Sequence, residues 1–200
     1  MIRKATQDDI ESLVYIHIDA LPGELLTSLG ESFLTKQFYP KVFQSANTLT
    51  LVNEGYDGLV NAFCIFAYKS DALTSQIVKN KLFITKYLLK NIFNDVTLIP
   101  KVIGYLKGYR LQLSPYYNIE YLKKITELYL IVTHPAHQGK GIGSKIIEEG
   151  LNIVFQKYTS CLVKTSSERA KQFYLRHRFK QIGVEYHWKK EITLLIRNYL

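Results

Sequence analysis

The sequence predicts an α/β fold, a sheet flanked by helices, and three observations predict it. An apolar run at 128–132 enters the turn His134-Pro-Ala-His-Gln-Gly-Lys-Gly-Ile-Gly-Ser144, and an amphipathic helical pattern follows. Two strand-like runs, 48–52 and 59–68, flank the turn residues Asn53 to Gly58 and read as a hairpin. Near the end, a short helix is followed by two more strand-like runs, 179–187 and 191–199. The 200 residues, 47% hydrophobic and 22% charged, suit one well-buried domain spanning 1–200.

Taken in order, residues 1–5 form a short strand. Thr6 can cap the next helix, with Asp8 and Asp9 favourable in its first turn. Ile10, Leu13, Val14, Ile18 and the less regularly spaced Ile16 give that helix an apolar face, and Pro22-Gly23 ends it. A second helical pattern runs over 25–43 with interruptions near Gly30 and Pro40. After the hairpin, 77–93 looks helical and 96–117 is punctuated by Pro100, Gly104, Gly108 and Pro115. We read 70–122 as a helical insertion or lid within the single domain. The pattern then sharpens: a strand over 125–133, a helix over 141–158, a strand at 161–163 and a helix over 167–177. In the longer of these helices Ile142, Ile146, Ile147, Gly150, Leu151, Val154 and Tyr158 share one face. Ser167 is a plausible cap for the shorter one.

Composition narrows the function. No uncharged apolar stretch reaches 18 residues, so no transmembrane helix is expected, and the N-terminus lacks an apolar signal core. Cys64 and Cys161 lie in apolar runs and read as buried free thiols of a cytoplasmic protein. No His or Cys spacing supports a metal site. The net charge of +9 is uneven: −3 over residues 1–70, +6 over 77–113 and +7 over 114–200. Such a split suits an anionic cofactor, an anionic membrane surface or nucleic acid, but no nucleic-acid motif accompanies it. Peripheral membrane attachment through 77–113 is weighed against a lid with a solvated lysine face, and the lid is favoured.

The strand–turn–helix order gathers backbone N–H groups at the positive end of a helix, where a pyrophosphate can bind. Gly139, Gly141 and Gly143 let a ligand approach the backbone, and Lys140 and Lys145 add charge. The spacing is neither the P-loop nor the Gly-x-Gly-x-x-Gly turn of dinucleotide-binding folds.

The run from Glu127 to Gly143 resembles the acyl-CoA-binding core of the GNAT superfamily of N-acetyltransferases. Its Arg/Gln-x-x-Gly-x-Gly/Ala turn is met by Gln138, Gly141 and Gly143. Residues 167–179 resemble the second signature, Asn-x-x-Ala-x-x-x-Tyr-x-x-x-Gly-Phe. Ala170, Tyr174 and Phe179 match it, while Ser167 and Arg178 stand where Asn and Gly are often found. The resemblance implies a mixed, mostly antiparallel sheet and acetyl-CoA as cosubstrate, with no metal. It places CoA on Ile131, Val132, Thr133, Gln138, Gly139, Lys140, Gly141, Ile142, Gly143, Ser144, Ser167 and Ala170.

The same resemblance implies Glu127 as general base and Tyr174 as general acid for attack of a primary amine on the thioester. Glu127 stands in an otherwise apolar strand, where desolvation raises a carboxylate's pKa. Its bland alternative is a strand-start residue that faces solvent or pairs with Lys123. For Tyr174 the alternative is a core tyrosine. His134 and His137 flank the turn, and surface or pocket-edge roles are the default for His17, His177 and His187. The acidic N-terminal third suits a cationic small-molecule amine, and a loose similarity to GNAT proteins of surface-polysaccharide synthesis suggests an amino sugar. A CoA-binding sensor with little catalysis and a protein or peptide N-acetyltransferase are the alternatives. The chain is expected to be a monomer or homodimer.

Overall fold

The computed structural model describes residues 1–78, 87, 89–91, 98, 110–187 and 190–199. Among them, eight strands form one sheet in the order β1-β2-β3-β5-β6-β8-β7-β4. The strands are β1 (Ile2–Lys4), β2 (Thr48–Glu54), β3 (Val60–Ala67), β4 (Arg110–Leu113), β5 (Thr126–Thr133), β6 (Ser160–Thr165), β7 (Lys180–His187) and β8 (Lys190–Asn198). Every neighbouring pair is antiparallel except β5 and β6, which run parallel. The sheet is therefore mixed and mostly antiparallel, as expected.

The N-terminal helices are α1 (Ile10–Ala20), α2 (Leu25–Ser28), α3 (Glu31–Phe33) and α4 (Tyr39–Gln44). Between α3 and α4 the backbone widens into a π-helix, Leu34–Phe38, directly before Pro40. Pro40 has no N–H and its ring crowds the preceding turn, and a widened turn accommodates both. Leu13, Ile16, Phe33, Leu34, Phe38 and Val42 bury themselves against Phe63, Ile65 and Val132 on one sheet face.

The opposite face carries α7 (Ile142–Phe155) and α8 (Glu168–Arg176), with α5 (Ser70–Val78) and α6 (Ile119–Leu122) preceding them in the chain. Ile146, Ile147, Leu151 and Val154 of α7 pack with Leu128, Cys64, Phe66 and Tyr174. Gly150 makes that packing possible: a Cβ there would lie 2.2 Å from Cε2 of the buried Phe66 ring. Cys64 and Cys161 are buried free thiols, as read from the sequence.

Within 70–122, the described residues contribute to both the core and the sheet. Leu73, Ile77, Tyr87 and Leu98 join the core beneath the N-terminal helices. Asn91 Nδ2 donates to the carbonyls of Leu29 and Tyr87 at 2.9 and 2.8 Å. Arg110–Leu113, within the loosely read 96–117, is a strand that pairs with β7 at the sheet edge. The described part of the stretch is thus built into the fold. The solvated lysine face expected over 77–113 lies largely outside the described residues.

Candidate active site

The site begins with a discontinuity in the sheet. β5 and β6 pair only through Thr126–Leu128 against Cys161–Val163. Beyond that point β5 carries a bulge: Leu130 pairs with Ile65 and Leu128 with Phe66, leaving Tyr129 as the extra residue. A bulge bends and twists its strand and ends regular pairing. β5 continues to Thr133 along β3, while β6 continues to Thr165 along β8. The two parallel strands therefore part into a V, with Ile131, Val132 and Thr133 on one arm.

The glycine turn closes the wide end of this V. Gly139 and Gly141 both have φ of +76°, a conformation that strains residues bearing a Cβ. Open space surrounds both positions, so backbone conformation and not crowding selects glycine. Gly141 is the N-cap of α7 and no side chain caps that helix. The amides of Ile142, Gly143 and Ser144 belong to the turn whose N–H groups a helix cannot bond internally. An uncapped helix N-terminus, an open double-glycine turn and nearby lysines fit a pyrophosphate.

Gln138 fastens the turn: its Nε2 donates to the Thr133 carbonyl at 3.0 Å, and its Oε1 accepts from Arg169 Nη2 at 3.0 Å. Arg169 thus brings a third cation to the turn, a residue that the sequence reading passed over. Lys140 Nζ donates to the Ala136 carbonyl at 3.0 Å, folding its charge back over the loop. Ser167 caps α8, its hydroxyl accepting from the Ala170 amide at 3.3 Å, so serine performs the capping role of the usual Asn. Arg178 takes φ of +61°, the left-handed geometry that explains why glycine is common at this place in the signature.

Ser144 has a partner that the sequence did not suggest. Its hydroxyl lies 3.0 Å from His177 Nε2, and His177 Nδ1 lies 2.7 Å from Glu148. Arg197 Nη1 donates to the same carboxylate at 2.7 Å. With Nδ1–H donating to Glu148, Nε2 accepts from Ser144. His177 is therefore no surface bystander. It ties the start of α7 to the end of α8. His17 also departs from the default: it is buried, 2.8 Å from the Tyr39 hydroxyl, and burial lowers its pKa to about 4. His134 stacks on Tyr15 with ring centroids 5.5 Å apart and lies 3.4 Å from Asp19, linking the turn to α1.

Of the two candidate catalytic groups, Glu127 stands by the apex of the V. Glu127 sits on β5 opposite Leu162 and is partly buried. Burial raises its pKa, Lys164 and a hydrogen bond from Ser70 oppose that, and Glu185 and Asp71 add to it; the net direction is upward. Tyr174 is buried beneath the sheet in the α7–α8 core, its ring edge-on to Phe179 at 5.7 Å. Burial, reinforced by Cys161 and Cys64, raises the phenol's pKa and keeps it protonated. Among the described residues, no group of three or more His, Cys, Asp or Glu is placed to hold a metal ion.

Comparison with known proteins agrees with this geometry. The family model described as the acetyltransferase (GNAT) domain matches residues 96–181, which include β5, the turn, α7, β6 and α8. Residues 96–181 are similar to the GNAT acetyltransferase domain. Solved acetyltransferase structures share the chain's fold at low identity. A histone acetyltransferase HPA2-related protein of Corynebacterium glutamicum superposes with a TM-score of 0.60 at 15% identity, covering 100% of this chain and 96% of the other. The ribosomal-protein-alanine N-acetyltransferase of Brucella melitensis gives 0.60 at 14%, covering 100% and 99%. PaiA N-acetyltransferase of Thermoplasma acidophilum, solved in complex with coenzyme A, gives 0.55 at 14%, covering 100% and 98%. No curated protein sequence matches the chain.

Proposed function

We propose that this protein transfers an acetyl group from acetyl-CoA to the primary amine of a small, cationic molecule, an amino sugar being the favoured case. The observation that carries the reading is the V between β5 and β6, with the uncapped glycine turn at its wide end and the partly buried Glu127 carboxylate beside its apex. The amides of Gly139 to Ser144 hold the pyrophosphate, with Lys140, Lys145 and Arg169 supplying charge. The arm Ile131–Val132–Thr133 offers backbone groups on which the pantetheine lies as an added strand. Bound acetyl-CoA supplies the acetyl group as a thioester.

Attack requires a neutral amine. Glu127, its carboxyl held above the usual carboxylate range, takes the proton. A C–N bond forms as the C–S bond breaks, and the Tyr174 hydroxyl donates to the departing sulfur. Tyr174 remains a donor because burial holds its pKa up. No covalent enzyme intermediate is needed.

The acceptor reading rests on charge. Residues 1–70 carry a net −3, and their helices pack on the sheet face opposite α7 and α8. Amine-dependent thiol release over a panel of amino sugars, polyamines and peptides tests the proposal. Release with small cationic amines, lost in Glu127→Gln with CoA binding intact, supports it. Activity confined to peptide or ribosomal-protein amines removes the small-molecule acceptor. CoA binding without release over the whole panel makes the chain a CoA-binding module.

A further inference from the structure

We propose that Lys164, held in place by Glu185, is a positioning residue that sets the proton-accepting strength of Glu127. The inference rests on the reading of Glu127 as general base. Lys164 follows Val163, the last β6 residue paired with β5, so it stands at the point where the strands part. Leu162, which pairs with Glu127, lies two residues before Lys164, and residues two apart on a strand share a face. Glu185 reaches the same face from β7, opposite Ile192 of β8. Its carboxylate accepts from Lys164 Nζ at 2.9 Å, and its side chain is only 7% exposed.

A carboxylate buried this deeply beside an apolar sheet face requires a cation, and Lys164 supplies it. The ammonium is then shared between two carboxylates of unequal duty. Glu185 fixes where the charge sits, and Glu127 feels it. The other groups acting on Glu127 are Asp71 and Ser70 of α5, while the buried Cys161 thiol of β6 lies on the opposite sheet face. Among the described residues, the cluster thus includes three carboxyl groups and the Lys164 ammonium. Removing the ammonium or removing Glu185 must move the base in opposite directions. A purely structural role for the pair would not produce opposite shifts.

The test is the pH dependence of kcat/KM, whose acid limb reports the base in the free enzyme. Lys164→Met removes a stabilising cation and moves the acid-limb midpoint up by about one pH unit. Glu185→Gln removes a negative charge and leaves Lys164 to Glu127, moving the midpoint down by about as much. Lys164→Arg keeps the charge and restores a midpoint near that of the wild type. Calorimetric CoA binding and thermal melting confirm that each variant is folded. If Lys164→Met does not fold, Glu185→Gln carries the test alone, and an unmoved limb overturns the proposal. Shifts in the same direction for both variants also overturn it. Glu127→Gln separates the two layers: if it keeps full activity and the wild-type acid limb, the base reading itself fails. If it loses activity while the paired variants leave the limb in place, only the role of Lys164 and Glu185 fails.

Discussion

Replacing Gly141 by alanine isolates what the glycine turn contributes. At φ of +76° an L-residue bears a steric cost of about 1–2 kcal/mol, because its Cβ crowds the adjoining carbonyl. Nothing else lies within 4 Å of the added Cβ, so the penalty is one of backbone conformation alone. For a chain of this size it lowers Tm by about 2–8 °C. A variant that relieves the strain by leaving the left-handed conformation populates the binding geometry less. CoA affinity then falls by a factor of about 5–30. Gly143→Ala is the matched control. Gly143 is helical, and its Cβ would meet Thr133 Oγ1 at 3.5 Å and Phe173 at 3.7 Å, which are ordinary contacts. Gly143→Ala therefore keeps or raises the melting temperature, since alanine favours a helix by about 1 kcal/mol over glycine. Thermal denaturation without ligand and calorimetric titration with CoA read both quantities. A Gly141→Ala protein that melts and binds like wild type refutes the reasoning, as does a Gly143→Ala protein that melts as low as Gly141→Ala.

Two further expectations concern stability. Arg178→Gly relieves the left-handed φ of +61° and stabilises the fold by about 1 kcal/mol in urea denaturation; an equal or lower midpoint contradicts the strain assigned there. His17 has its pKa depressed to about 4 by burial, so between its ordinary value and pH 4 the unfolded chain binds a proton that the folded chain does not. Stability from this residue is complete above about pH 6.5 and declines as pH falls, by about 3 kcal/mol at pH 4. Comparing wild type with His17→Gln in urea from pH 7 to pH 4.5 shows it: the wild type should lose more stability than the variant over that range. Parallel losses would place the pH dependence elsewhere.

What the sequence made legible was mostly local. The strand before the turn, the turn itself, the helix after it and the cap at Ser167 are each written in neighbouring residues, and the structure has their bounds to within three residues. The two signatures pointed to Glu127, Tyr174 and the turn because their spacing is sequential. Features made by distant residues were not legible. The Tyr129 bulge depends on register with β3, the Ser144–His177–Glu148–Arg197 network joins α7, the end of α8 and β8, and Lys164 meets Glu185 across β8. Arg110–Leu113 was missed for a different reason. Its four residues alternate in exposure as an edge strand should, but glycine and proline on either side left the stretch without a strand assignment. Leu111 and Leu113 were the available signal. The two departures from the second signature have separate physical outcomes: Ser167 keeps the cap, and Arg178 takes the strained backbone that glycine would relax.

The central claim is that CoA lies in the V between β5 and β6 with its pyrophosphate on the turn. A crystal structure of the CoA complex tests it most directly. The account predicts pyrophosphate oxygens within hydrogen-bond distance of the backbone N–H groups between Gly139 and Ser144, and the pantetheine running along Ile131–Thr133 toward Glu127 and Tyr174. CoA bound elsewhere on the chain, or a turn that takes no phosphate at millimolar CoA, would contradict it.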